Sequence, residues 1–392
     1  MKKLIFILVI IGLSSLSAQS FIKHFALPTN EIYSLKDSLK ILAVMVEFKE
    51  DKYDATIGNG KFGSHYTKNY GDTILDPLPH DASYFEDHLL FAKNYFYKVS
   101  KGKLNISYKV LPEVITVSKT MREYSPGYQS KDLKPLVDLS EEVWKIADQK
   151  FSNINFSNYD LFIIFHAGVS SGLDIGIFSI DRNLPSLYLG FNTFQKIKGI
   201  QFNGFQTRSG LIKNTMIMPE TESRELQMID NSTYLLQLTI NGTLVANISS
   251  HLGLPDLFDT ETGKSAIGRF GLMDGQAIIA NNGMFPPSMS AWEKIYLGWD
   301  SPKIILKNSK NINVTSSEIA SVSDSTIIKI PINSSEYFLV ENRQQDAKKN
   351  DLILTIKNRN KIYQKVIKPD TSGLYYVQPS DVKGGVVIDV DE

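Results

Sequence analysis

The chain has 392 residues and not one cysteine. That absence constrains the fold more than any motif does. It removes disulfide frameworks, thiolate nucleophiles and every cysteine-based zinc or iron–sulfur site. Order must therefore come from a buried apolar core, and a chain of this length can build one. Hydrophobic residues make up 42% and charged residues 21%, a globular mixture that argues against long disorder. At roughly 150 residues per domain the length suits two or three domains. Any metal would have to sit on Asp, Glu or one of only six histidines.

The first residues read as an address. Lys2 and Lys3 precede an apolar run from Leu4 to Leu13, followed by the small and polar SSLSAQS. A charged head, about ten apolar residues and a small-residue exit describe a secretory signal peptide over 1–20, cleaved near Ala18 to Ser20. A membrane span needs about 20 apolar residues, so no span is expected. With no cysteine after it, no lipid anchor is expected either. The mature chain is predicted to be soluble and secreted or extracytoplasmic. Lys+Arg and Asp+Glu both number 42, which disfavours a nucleic-acid partner held by bulk charge. Nothing in the sequence sets an oligomeric state.

KILAVMVEF (40–48) predicts a buried strand, and the polar, Gly- and Asp-rich 49–80 a long loop. Phe85, Leu89, Ala92, Phe96 and Val99 recur at helical spacing over 83–99, with Gly102 as a stop signal. LNISYKV (104–110) returns to strand. Pro135 opens a second helix over 135–150, whose apolar face carries Leu136, Leu139, Val143 and Ile146. LFIIF (161–165) is a strand that opens into His166-Ala167-Gly168. From about 301 the texture becomes short β-rich runs: IILKN, NINVT, STIIKIPI, EYFLVEN, DLILTIKN, KIYQKVIK, GLYYVQ and GGVVIDV. These predict an all-β, sandwich-like unit. The fold class is thus α+β, with a domain over 21–300 and a β-rich domain over 301–392.

The informative stretch is 240–300. Leu244, Val245, Ile248 and Leu252 give a short buried helix ending at Gly253, and Pro255, Asp256 and Asp259 make an acidic turn. LGLPDLFD (252–259), GLMDG (271–275) and SAWEKIYLGW (290–299) follow in order. Together with the SYFEDHLLFAKNYFYKVSKGKLNISYKV and IIFHAG segments upstream, and EYFLVENRQ and GGVVIDVDE downstream, these resemble the secreted metallopeptidases of the immune inhibitor A type, in the metzincin clan. The resemblance covers roughly 40–392. It implies a metzincin-like domain, a zinc cofactor, a methionine turn at Met273 and a third zinc ligand at Asp256. It also implies further sequence after Glu392, so the chain reads as one lacking a terminal portion.

The departure outweighs the match. The family carries H-E-x-x-H ending two residues before the first Leu of LGLPD. Counted back from Leu252, the first zinc histidine falls on Ala246, the catalytic glutamate on Asn247 and the second histidine on Ser250, with His251 as spacer. Two imidazoles one turn apart hold Zn²⁺ and the glutamate takes a proton from its water. Alanine has no donor, serine a neutral hydroxyl, and asparagine cannot act as a carboxylate base. No resident metal is therefore expected.

Several residues stay open between structural and ligand roles. His251 reads as a helix C-terminal cation before it reads as a ligand. His166 either lines the cleft or is hydrogen-bonded in the core. Glu220, Glu222 and Glu225 in IMPETESRE would have to swing in to rebuild a metal site. Asp256, Asp259, Thr260 and Glu261 offer hard oxygens to calcium but do not fit the twelve-residue calcium loop. His24, His65, His80 and His88 form no spacing that points to a site. The leading expectation is a secreted pseudo-peptidase that binds a polypeptide or cell-surface partner. The alternatives are an active secreted zinc endopeptidase with substituted ligands, and a structural envelope or adhesion protein.

Overall fold

An unbroken apolar strand has to be covered on both faces. The run Ile41–Val46 meets that condition at the centre of the molecule. The structure is a computed structural model that describes residues 37–391, apart from 53–54, 128–129, 172–181, 261, 322–323, 334–335 and 345. The expected signal peptide, His24 and Glu261 lie outside the described residues.

The main helices and strands follow in chain order. They are β1 (Ser38–Glu47), α1 (Ala82–Val99), β2 (Asn105–Val110), β3 (Ile115–Thr116), α2 (Met121–Tyr124), α3 (Lys134–Lys150) and β4 (Leu161–His166). Then come β5 (Leu187–Leu189), α4 (Phe191–Lys198), β6 (Phe205–Thr207), β7 (Gly210–Ile212), β8 (Thr215–Pro219), β9 (Arg224–Gln227) and β10 (Thr233–Leu236). The last third holds α5 (Asn241–His251), α6 (Gly275–Ile278), α7 (Ala291–Tyr296), β11 (Lys303–Ile304), β12 (Ile327–Pro331), β13 (Tyr337–Glu341), β14 (Leu352–Asn358), β15 (Lys361–Ile367) and β16 (Val386–Asp391).

The main sheet runs β2-β1-β4-β8-β5, with β3 also pairing with β1. β2, β1, β4 and β8 are parallel, and β5 is antiparallel at the edge. Side chains alternate between its two faces. Ile41, Ala43, Met45, Leu161, Ile163, Phe165, Met216 and Met218 enter one core with Phe85, Leu89 and Phe96 of α1 and Leu244 and Ile248 of α5. Leu42, Val44, Val46, Phe162, Ile164 and Ile217 enter the other with Leu136, Leu139, Val143 and Trp144 of α3. The chain is therefore mixed α and β, with α1 and α5 on one face of the sheet and α3 on the other.

Local signals explain the helix ends. Asp81 caps α1 by accepting from Ser83 N at 3.0 Å and Tyr84 N at 3.3 Å. Gly102, at φ +77°, ends the turn that follows. Pro135 sits in the first turn of α3, where its missing N–H costs no helical bond.

The C-terminal runs pair as β11-β12-β13 and β15-β14-β16. The second of these sheets lies on α1. Asn94 Nδ2 donates to Ile388 O at 2.8 Å, Lys98 pairs with Asp389 at 2.7 Å, and Lys357 pairs with Asp87. Leu354, Ile356 and Val387 join the same core as α1. Two predicted strands are absent. NINVT carries Asn311 at φ +58°, off the extended region. GLYYVQ is drawn into a turn in which Asp370 Oδ1 accepts from Ser372 N and Leu374 N.

Candidate functional site

Helix α5 carries the positions where the resemblance places a zinc motif. Leu244, Val245 and Ile248 anchor it, and every one of its residues is buried. Gly242 is required by close approach, because a Cβ there would stand 1.9 Å from Ile278 O. At the other end Gly253 takes φ +96°, and Leu254 N returns to Ser249 O at 3.0 Å, closing the helix.

The side chains at the motif positions turn inward to their own helix. Ser250 Oγ donates to Ala246 O at 3.3 Å. Asn247 Nδ2 donates to Thr243 O at 3.1 Å and lies 3.5 Å from Met218 Sδ. Ala246 packs in the apolar core. His251 ends α5 as expected, but it is buried, with Nδ1 3.1 Å from Tyr188 Oη on the edge strand β5. Among the described residues no three metal-ligating groups converge on this helix.

Asp256 lies beyond the helix with Oδ1 buried and without a hydrogen-bond partner. Burial alone pushes its carboxyl up to about 9. Asp259 is exposed and accepts from Thr262 N at 3.0 Å, which makes it a turn residue. The acidic turn thus splits between a half-buried acid with one enclosed oxygen and an exposed one.

Met273 is fully buried, and its carbonyl accepts from Leu257 N at 2.8 Å. Two carboxylates hold this segment. Glu293 of α7 accepts from Met273 N at 2.8 Å, Leu272 N at 3.2 Å and Ser290 N at 2.5 Å. Asp274 Oδ2 accepts from Ser265 Oγ, Ala266 N, Ile267 N and Gly268 N at 2.9–3.2 Å, while Oδ1 caps α6 through Gln276 N at 3.1 Å. LGLPDLFD, GLMDG and SAWEK are therefore linked to one another by hydrogen bonds, and Asp259, Asp274 and Glu293 in them hold backbone N–H groups.

His166 ends β4, fully buried, with Nδ1 2.9 Å from Ala167 O and the ring edge-on to Phe48. Burial pulls its imidazole down to about 4. The folded chain thus keeps it neutral where the unfolded chain, near 6.5, takes a proton. Stability should fall as pH drops from about 6.5 to about 4, by about 3 kcal/mol in total. His166→Asn should flatten that limb, measured as denaturant midpoints against pH.

His65 and His80, which no sequence spacing links, come together on Glu220 in the structure. Glu220 follows β8, Gly168 follows β4, and the 48–80 segment follows β1, so all meet at the C-terminal ends of parallel strands. Glu220 is fully buried there. Its Oε1 accepts from Gly63 N at 2.7 Å and its Oε2 from Gly168 N at 2.8 Å. His80 Nδ1 lies 2.7 Å from Oε1 and His65 Nδ1 3.5 Å from Oε2. Burial opposes charge on both partners. Even so, the Glu220 carboxylate raises His80, and the two histidines hold Glu220 well below the usual carboxylate range. His88 is tied through Nδ1 to Asn241 Oδ1 at 2.6 Å, and its Nε2 lies 3.9 Å from Asp76 Oδ1.

The other two loop acids are committed elsewhere. Glu222 pairs with buried Arg224 at 2.7 Å and accepts from Ser170 Oγ at 2.5 Å. Glu225 accepts from Tyr70 Oη at 2.7 Å and Thr67 N at 3.1 Å. The swing of Glu220, Glu222 and Glu225 that a rebuilt metal site on α5 would need is not seen among the described residues. Sequence separations of 15 and 140 residues hid the cluster, since no local period links such positions.

Compared with known proteins, the chain matches no protein-family model, and no curated protein matches it significantly.

Proposed function

We propose that the chain is a secreted, non-catalytic relative of zinc metallopeptidases, one that binds a polypeptide or surface partner without cutting it. In this reading residues 21–300 form a metzincin-like domain and 301–392 a β-rich, sandwich-like one. The parallel sheet with an antiparallel edge strand beside a buried helix is in keeping with that domain. The observation that carries the reading is the state of α5. Asn247 and Ser250 donate to backbone carbonyls one turn earlier in their own helix, and Ala246 is core. A zinc helix needs outward lone pairs at those positions and a carboxylate base beside the water.

The purified chain, incubated with casein and a mixed peptide library, should release no fragments above blank. Cleavage that a metal chelator abolishes would overturn the reading. The combined variant Ala246→His, Asn247→Glu and Ser250→His should take up one more zinc per chain than its parent. Because Ala246 is fully buried in the apolar core, that variant should also lose about 1–3 kcal/mol of stability from overpacking. A folded triple variant with no added zinc would show that the motif alignment on α5 is wrong.

A further inference from the structure

We propose that His65, His80 and Glu220 form a structural site for one zinc-class divalent cation, tying the segment after β1 to the ends of β4 and β8. The proposal goes beyond the reading of α5 and does not depend on it.

Geometry comes first. One donor atom from each of the three side chains lies within 4.8 Å of the other two, and all three residues are buried. Bonds of about 2.05 Å in a tetrahedral zinc site set neighbouring donors about 3.4 Å apart. His65 Nδ1 and Glu220 Oε2 already stand at 3.5 Å. Two imidazoles and a carboxylate suit zinc and its neighbours, not calcium or magnesium, which take oxygen.

The tautomer of His80 comes second. Its Nε2 lies 2.9 Å from Asp76 O, a carbonyl that can only accept, so Nε2 carries hydrogen. This is the outer contact that fixes a metal-bound imidazole. Nδ1 then faces Glu220 Oε1 at 2.7 Å. Two lone pairs facing each other need a cation: a proton bridges them at this distance, and a metal would open the pair towards about 3.4 Å.

His65 separates those two cases. Its side chain is fully buried, yet neither ring nitrogen has a hydrogen-bond partner. A proton on His80 leaves both nitrogens unmet, a state that buried polar groups rarely keep. A metal takes one of them as a ligand. Charge argues the same way. Asp76, also buried, has Oδ1 without a hydrogen-bond partner and Oδ2 receiving Thr221 Oγ1 at 2.7 Å. A divalent cation brings two positive charges beside the buried Glu220 and Asp76 carboxylates, where an imidazolium at His80 brings one. With all three ligands buried, the cation's role is to crosslink the fold.

The test is zinc content and melting temperature of the full chain produced in zinc-supplemented medium, followed by gel filtration. Wild type should carry about one zinc per chain and melt lower after chelation. His65→Ala leaves the Glu220 bonds to His80, Gly63 and Gly168 in place, so it should fold. It should lose zinc at least about tenfold and show no chelator effect on melting. His251→Ala should keep its zinc. Metal-free wild type, or zinc that survives His65→Ala, would overturn the proposal. Zinc lost in His251→Ala but kept in His65→Ala would also overturn it, and would place the metal on α5.

Discussion

Asp256→Asn stabilises the folded chain by about 3–5 kcal/mol near pH 8 and has little effect near pH 4. The sign follows from the half-buried acid. In the folded chain its carboxyl stays protonated up to about 9. In the unfolded chain it ionises near 3.9. The raised value means that this group's contribution is most favourable below about 4 and declines as pH rises towards 9. Each unit is worth about 1.4 kcal/mol, so four units bound the effect below about 6 kcal/mol, and residual structure in the unfolded chain trims it. Asparagine has the same shape and no proton to lose, so it removes the decline. The measurement is the difference in denaturant midpoint between variant and wild type across pH. Taking the difference matters, because His166 drives the wild-type curve the opposite way between about 4 and 6.5. The result also bears on function. If Asp256 were a third zinc ligand it would be an anion facing a cation, and Asp256→Asn would destabilise the chain at pH 8 instead.

The layout of the main sheet and its helices was legible because these strands and helices state their burial locally. The run 41–46 can only be a covered strand, and the spacing of Phe85, Leu89 and Phe96 can only be one face of a helix. Both came out within two residues of their expected bounds. The β-rich tail was legible as a texture and not strand by strand. Its short runs lack a covered partner on one side, and turn chemistry at Asn311 and Asp370 claimed two of them. The site divides in the same way. The contiguous α5 positions could be located by counting, whereas His65, His80 and Glu220 are joined only by the topology of parallel strands. A parallel sheet gathers strand ends that are far apart in sequence at one edge. Gly63 and Gly168, whose N–H groups grip Glu220, gave no sign of that partner because a backbone donor has no sequence signature.

Asp274→Ala costs about 4–6 kcal/mol, the largest loss expected from a single side chain outside the apolar core. The residue looks like part of a metal-site signature, yet its environment gives it another task. Its carboxylate is fully buried and accepts five hydrogen bonds. Three come from consecutive backbone N–H groups of Ala266, Ile267 and Gly268, the last of which also reaches Ser265 Oγ at 2.9 Å. Bonds to a charged acceptor contribute about 1.5–3 kcal/mol each, and the donors, in half-buried or exposed residues, recover part of that from water when the acceptor goes. The five share one acceptor group and are not additive, which holds the sum near the stated range. Asp274→Asn keeps one oxygen and should cost about half as much. Denaturant unfolding of the two variants gives the ratio. A loss below about 1 kcal/mol in Asp274→Ala would mean that the 265–268 turn is dispensable. It would also mean that GLMDG is held under α5 by Glu293 and the burial of Met273 alone.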